Sequence, residues 1–304
     1  MTLDVLHTQH QRHFASSKFV YPVLSRRSGG ISLGVNLNPD KVCNFDCIYC
    51  QVDRTTTSDT QFVELPQLLS ELDYFLSLVT SGELYETEKF RHTPPQLRRL
   101  NDIAFSGDGE PTTHRNFADI IEQVAALKRK HNLPQVKLVL ITNASMFHRP
   151  HVQRGLELLD QNNGEIWAKL EAGTAEYFKK IDRTTIHFEQ ILQNITAAAR
   201  VRPLVIQSLF MRVAGEPPPA AEIEAFCDRL NEVTTAGGKL SLIQIYTVAR
   251  KPTESYVTPL SDAEVDAIVQ RVRERTGLTA AAFYGANTDA IEPAGSAAKD
   301  DSHE

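Results

Sequence analysis

Three of the chain's four cysteines, Cys43, Cys47 and Cys50, fall within eight residues in the order Cys-x3-Cys-x2-Cys. Three thiolates leave a metal assembly one protein ligand short. An iron–sulfur cube held this way keeps one iron free to bind a substrate, whereas a closed structural site holds four ligands. A disulfide with a spare thiol is disfavoured, because no secretory hydrophobic stretch precedes the motif and four cysteines in 304 residues do not make a disulfide scaffold. Zinc would need a fourth donor, from Asp46 or a nearby histidine, and zinc motifs usually come as two separated cysteine pairs. Soft thiolates from one loop suit an iron–sulfur cluster better.

Other chemically equipped residues follow. Phe105-Ser106-Gly107-Asp108-Gly109-Glu110-Pro111-Thr112 is a turn in which glycines let the backbone approach a ligand and Pro111 stiffens the exit. In Glu165-Ile166-Trp167-Ala168-Lys169-Leu170-Glu171, a period of two puts Ile166, Ala168 and Leu170 on one face and Lys169 and Glu171 on the other. Two charges inside a barrel are costly unless they pair with each other or meet a ligand. Asn143 stands at a strand end, where it either binds a ligand or caps a turn. Arg183, Arg212, Gln244, Tyr246 and Arg250 are polar groups near strand ends and linkers. Cys227 shares a helical stripe with Ile223, Phe226 and Leu230, which makes it a packed thiol rather than a fourth ligand. Lys128-Arg129-Lys130-His131 closes a helix, where positive charge complements the dipole.

Elements to position these groups alternate along the chain. Strand patterns run over 31–38, 102–107, 136–142, 165–171, 204–213 and 240–248. Helical periodicity appears in Phe117, Ile120, Ile121, Val124 and Leu127, in Phe188, Ile191, Leu192 and Ile195, and in Val265, Ile268, Val269 and Val272 behind a Ser261–Glu264 capping box. Six βα units predict an α/β fold with parallel strands, a partial (β/α)6 TIM-type barrel whose site lies at the C-terminal strand ends. The expected organisation is a 1–30 N-terminal appendage carrying His7, His10 and His13, a 31–285 core barrel, and a 286–304 disordered tail poor in apolar residues. A basic insertion over 83–101, with Lys89, Arg91, His92, Arg98 and Arg99, is either a solvated loop or a substrate-contacting lip. A net charge of −6 argues against wholesale nucleic-acid coating, and no apolar run reaches membrane-spanning length, so the expected location is cytoplasmic, with no membrane partner.

Cys43, Cys47 and Cys50, with Tyr49 just before the last cysteine, resemble the signature of radical S-adenosylmethionine enzymes. Gly34-Val35-Asn36-Leu37 ahead of Val42–Gln51, together with Phe105–Thr112, resembles the wyosine-synthase-like branch. The likeness implies a [4Fe-4S] cluster on the three cysteines and S-adenosyl-L-methionine as cosubstrate. It places cofactor contacts at Tyr49, Gly107, Gly109, Glu110, Asn143 and Glu171, and implies an external one-electron reductant of flavodoxin or ferredoxin type. The expected activity is reductive cleavage of S-adenosylmethionine to a 5′-deoxyadenosyl radical, with RNA, protein or a small molecule as substrate. An activase acting on a partner protein and a non-catalytic electron carrier or sensor are the alternatives. No cysteine precedes Cys43, so a second cluster of the tRNA enzyme's type is not expected.

Overall fold

The computed structural model describes residue 14 and residues 17–285; the histidines at 7, 10 and 13 and the 286–304 tail lie outside the described residues. An eight-stranded curled sheet runs in the order β1 (Val20–Ser25), β2 (Gly30–Val35), β3 (Leu100–Phe105), β4 (Lys137–Thr142), β5 (Gly164–Lys169), β6 (Leu204–Leu209), β8 (Leu240–Tyr246), β10 (Ala280–Phe283). β1 is antiparallel to β2, and every later neighbour is parallel. Among the described residues, seven α-helices pack outside: α1 (Leu65–Thr80), α2 (Phe117–Lys130), α3 (Pro150–Asp160), α4 (Ala175–Asp182), α5 (Phe188–Val201), α6 (Ala220–Thr235) and α7 (Asp262–Thr276). This is the partial TIM-type barrel expected from the alternation.

Period-two alternation decides what each strand buries. Ile31, Leu33 and Val35 of β2 and Ile166, Ala168 and Leu170 along and just past β5 join the large apolar core under the helices. Ala104, Val139, Trp167 and Val205 form a separate cluster that fills the lumen at mid-height. Residues two further along the same strands, Ser106, Ile141, Lys169 and Gln207, therefore point up into the mouth.

The structure departs from the expected strands at three places. Val20–Ser25, inside the stretch set apart as an appendage, is β1; Pro22 argues against a strand, yet an edge position tolerates it. Glu71 of α1 seats that edge, accepting N–H bonds from Lys18, Phe19 and Val20 at 2.8–3.0 Å. The 204–213 run breaks at buried Phe210, whose N–H donates to the Tyr246 carbonyl at 2.9 Å; Met211–Val213 then becomes β7, paired with β9 (Val257–Pro259) in a separate ribbon. Ala280–Phe283 is β10, an alanine-rich strand without the β-branched signature. The Ser261–Glu264 capping box on α7 is present as read.

The basic groups outside the mouth are tied to the fold. Lys128 Nζ donates to the carbonyls of Val136 and Asn162, each at 2.7 Å. In the 83–101 insertion, Lys89 Nζ reaches the Pro22 carbonyl, Arg98 the carbonyls of Thr93 and Arg91, and Arg99 that of Gly29. Burial lowers the Lys89 pKa to about 8. At the end of α2, Lys130 Nζ and His131 Nε2 contact Asp73 of α1 at 2.8 and 2.6 Å, holding its carboxyl below the ordinary 3.8.

A carboxylate whose folded pKa is depressed adds stability that is fully present above its unfolded value and is lost as pH falls through the folded one. Asp73→Asn should therefore cost less than about 1 kcal/mol at neutral pH, as an exposed pair does, and nothing once the pH lies below the depressed value. Urea midpoints of the two proteins at neutral pH and at about pH 2 check this.

Candidate active site

Loops leaving the C-terminal ends of the parallel strands enclose a cavity of about 270 Å3. The three clustered cysteines line it, and all are free thiols. The cysteine loop follows β2 and is braced by the end of α4. Asp46 and Ile48 N–H groups donate to the carbonyls of Asp182 and Ile181 at 3.2 and 2.9 Å, and Phe45 packs edge-on against Phe178. Arg183 donates to the Asp46 carbonyl at 2.6 Å and pairs with Glu254, so it clamps the loop instead of facing the cavity.

Two side chains that the sequence did not single out touch the thiols. Cys47 Sγ donates to Asp182 Oδ1 at 3.2 Å, and the other Asp182 oxygen is buried with no hydrogen-bond partner among the described residues. Arg54 Nη1 donates to Cys50 Sγ at 3.1 Å; Nε and Nη2 reach the carbonyls of Lys41 and Asp108. One guanidinium thus joins the cysteine loop to the turn after β3. Burial foremost, then Asp182, pushes the Cys47 thiol well above its ordinary 9.0, while Lys169 pulls the other way; burial likewise raises Cys43. Both stay protonated at neutral pH, so metal binding must release protons.

The Gly107–Glu110 turn packs against the cysteine loop, with no room for a side chain at Gly107 or Gly109. A Cβ on Gly109 would stand 2.1 Å from the Val42 carbonyl oxygen, and one on Gly107 would stand 2.2 Å from Asn36 Oδ1. Asn36 Oδ1 accepts the Asp108 N–H, and its amide donates to the Asp108 carboxylate at 2.6 Å. Gly109→Ala should therefore push the two loops apart, with overpacking that costs about 1–3 kcal/mol. Thermal melting and iron uptake on reconstitution should both fall.

Glu110 is 3% exposed and turned into the protein. Its Oε1 accepts from the Thr112 N–H and hydroxyl and from the Thr142 hydroxyl, and its Oε2 accepts the Asn143 N–H at 2.7 Å. Asn143 in turn donates to Asn44 Oδ1 at 2.9 Å and accepts from Ser145. Both residues line or adjoin the cavity while holding the β3, β4 and cysteine loops in register.

Lys169 and Glu171 face inward as alternation requires, and they pair at 3.2 Å. Lys169 Nζ also donates to the hydroxyls of Tyr49 and Tyr246 at 3.2 and 3.3 Å and lies over the Tyr49 ring. Burial would strip its proton, but Glu171, Tyr246 and Cys47 outweigh burial and raise its pKa. Tyr246 and Arg250 line the same cavity, and Gln207 donates to Gln244 within the lumen at 3.1 Å. Arg212 pairs with Glu264 away from the cavity, and Cys227 is fully buried on α6. No group of three or more His, Cys, Asp or Glu side chains converges on one point among the described residues.

A family model described as the radical SAM superfamily matches residues 37–230, which include the cysteine loop and four of the parallel strands that carry the mouth. The chain belongs to the radical SAM superfamily. A UPF0026 protein of Helicobacter pylori is 25% identical over 248 residues, covering 80% of this chain and 70% of its own length. Among solved structures, a radical SAM methyltransferase from Sphaerobacter thermophilus overlays with a TM-score of 0.60 at 11% identity, over 89% of this chain and 70% of that one. TYW1 with a lysine-pyruvate adduct bound overlays with a TM-score of 0.50 at 14% identity, over 90% of this chain and 80% of that one. At such identities the likeness shows the shared fold. This radical SAM chain is an enzyme whose substrate is unspecified.

Proposed function

We propose that Cys43, Cys47 and Cys50 ligate three irons of a [4Fe-4S] cluster and that the turn at Gly107 and Gly109 receives S-adenosyl-L-methionine beside the fourth. The observation that carries this reading is the meeting of three free thiols with the tightly packed glycines Gly107 and Gly109 around one cavity at the strand ends. When bound, cluster and S-adenosylmethionine together supply reductive cleavage of the sulfonium to a 5′-deoxyadenosyl radical. The protein binds, orients and shields. Gly107 and Gly109 offer backbone to the cofactor at close range. Glu110 and Asn143 act by fixing the loops that carry the thiols and the turn. Tyr49 and Glu171 close the wall beside Lys169, and the Trp167 layer lies beneath.

The TYW1 structure is described with a lysine-pyruvate adduct. Here Lys169 is an ion-paired ammonium with a raised pKa, which makes it a poor nucleophile and favours an electrostatic role. Lys89, Arg98 and Arg99 of the 83–101 insertion bond to the chain's own carbonyls, which argues against these three serving as an RNA-contacting lip, while exposed Arg91 donates to His92. An external one-electron reductant of flavodoxin or ferredoxin type and a cytoplasmic setting complete the reading. Among the described residues no helix is long and apolar enough to cross a membrane. Anaerobic reconstitution with iron and sulfide, followed by dithionite and S-adenosylmethionine, should yield 5′-deoxyadenosine and methionine. Full cluster loading without either product would favour the electron-carrier alternative.

A further inference from the structure

Arg27 reaches the lumen from the β1–β2 turn and lines both the cluster-side cavity and a cavity of about 710 Å3 at the opposite end of the barrel. The two cavities share Arg27, Asp102 and Trp167, so the guanidinium stands where they meet. Its carbon lies 5.6 Å from the centre of the Trp167 ring and 5.0 Å from that of Tyr246. It makes no hydrogen bond and no ion pair with the described residues. Neighbouring charges differ in this respect. Lys169, at the Tyr246 hydroxyl, is neutralised by Glu171, and Arg54 is engaged by Cys50 and two carbonyls. Asp102, the acid on both cavity walls, accepts from Ser32 and forms no ion pair with Arg27.

We propose that Arg27 is the anchor for an oxyanion of the substrate, a carboxylate or phosphate on a small organic acid, and that this makes the chain's substrate an anionic small molecule. The inference rests on the radical S-adenosylmethionine reading only in taking this lumen as the reaction chamber. A half-buried guanidinium without a counter-charge is unfavourable unless a ligand brings one. The two rings hold the cation by its charge and fix its position, and they leave its N–H fork free. That fork matches the two oxygens of a carboxylate or phosphate, which a lysine in the same place would meet only as a point charge. Tyr246 ties the anchor to the cluster side, because its ring carries Arg27 while its hydroxyl accepts from Lys169.

Trp167 is the chain's single tryptophan, so its emission reports on Arg27 directly. The full-length chain, before iron loading, is titrated at constant ionic strength with inorganic phosphate and, separately, with malonate. A saturable change in Trp167 emission with at least one anion is expected, and the one that saturates identifies the oxyanion. Arg27→Met should weaken that binding about tenfold or more, and Arg27→Lys, which keeps the charge but not the fork, should weaken it several-fold. Arg27→Lys carries the test if the methionine variant fails to fold. The proposal is overturned if both anions give linear responses, or if the wild type and the Arg27 variants saturate equally. It is also overturned if S-adenosylmethionine binding to the iron-loaded protein falls by the same factor in Arg27→Lys, since Arg27 would then belong to the cofactor. Because the titration uses cluster-free protein, it can fail while iron loading succeeds, and the reverse.

Discussion

Cys47→Ala should abolish formation of 5′-deoxyadenosine and leave the reconstituted protein with well under the full iron complement. The cluster reading gives the protein three thiolates and no more, so the loss of one removes a third of the attachment and exposes a second iron. Cys47 also donates to Asp182, and its removal strips that buried carboxyl of the thiol donor. Part of the loss in an alanine variant is therefore structural. Cys47→Ser separates the two effects: the hydroxyl retains a donor for Asp182 but is a hard, poor ligand for iron. Cluster binding should fail in both variants, while thermal stability without iron should drop more in alanine. Cys227→Ala is the control. It removes a buried sulfur from α6 at a cost of about 1 kcal/mol and should keep full iron and full turnover. Wild-type iron content and S-adenosylmethionine cleavage in Cys47→Ala would sink the proposed site.

Glu110→Gln should destabilise the fold by about 3 kcal/mol, lowering Tm by on the order of 5–10 °C. The native carboxylate meets donors at both oxygens, three at one and the Asn143 N–H at the other. An amide has one acceptor atom and one donor atom. Whichever way it turns, an NH2 group faces an N–H or O–H inside a buried pocket, and charge-assisted bonds become neutral ones. Asn143 then loses its fixed backbone and with it the bond to Asn44 in the cysteine loop. Cluster loading should therefore fall along with stability, and chemical denaturation of the iron-free protein measures the structural part alone. A residue that only received the methionyl ammonium would leave iron-free stability unchanged, so this comparison distinguishes an organising Glu110 from a ligand-binding one.

Much of the site can be read from neighbouring residues. The cysteine spacing, the glycines of the turn after β3 and the inward phase of Lys169 and Glu171 are set by the chain within a few residues, because a strand's period and a turn's backbone needs are local. The partial barrel follows from repeated βα alternation for the same reason. Local patterns were silent where a segment lacked a strand's usual composition, as in Pro22 within β1 and the alanines of β10.

What each inward group does was decided elsewhere. Glu110 carries the same sequence signal whether its oxygens face a ligand or the hydroxyls of Thr112 and Thr142; the closing of β3 on β4 directs them inward. Asp182 meets Cys47 across 135 positions, and Arg27 meets Tyr246 only because the β1–β2 turn comes round to the far side of the curled sheet. By itself the sequence determined the thiol chemistry, the strand phase and the barrel class. The tertiary structure alone decided which charges are neutralised by neighbours and which are left for a ligand, since that depends on groups far apart in the chain and brought together by barrel curvature.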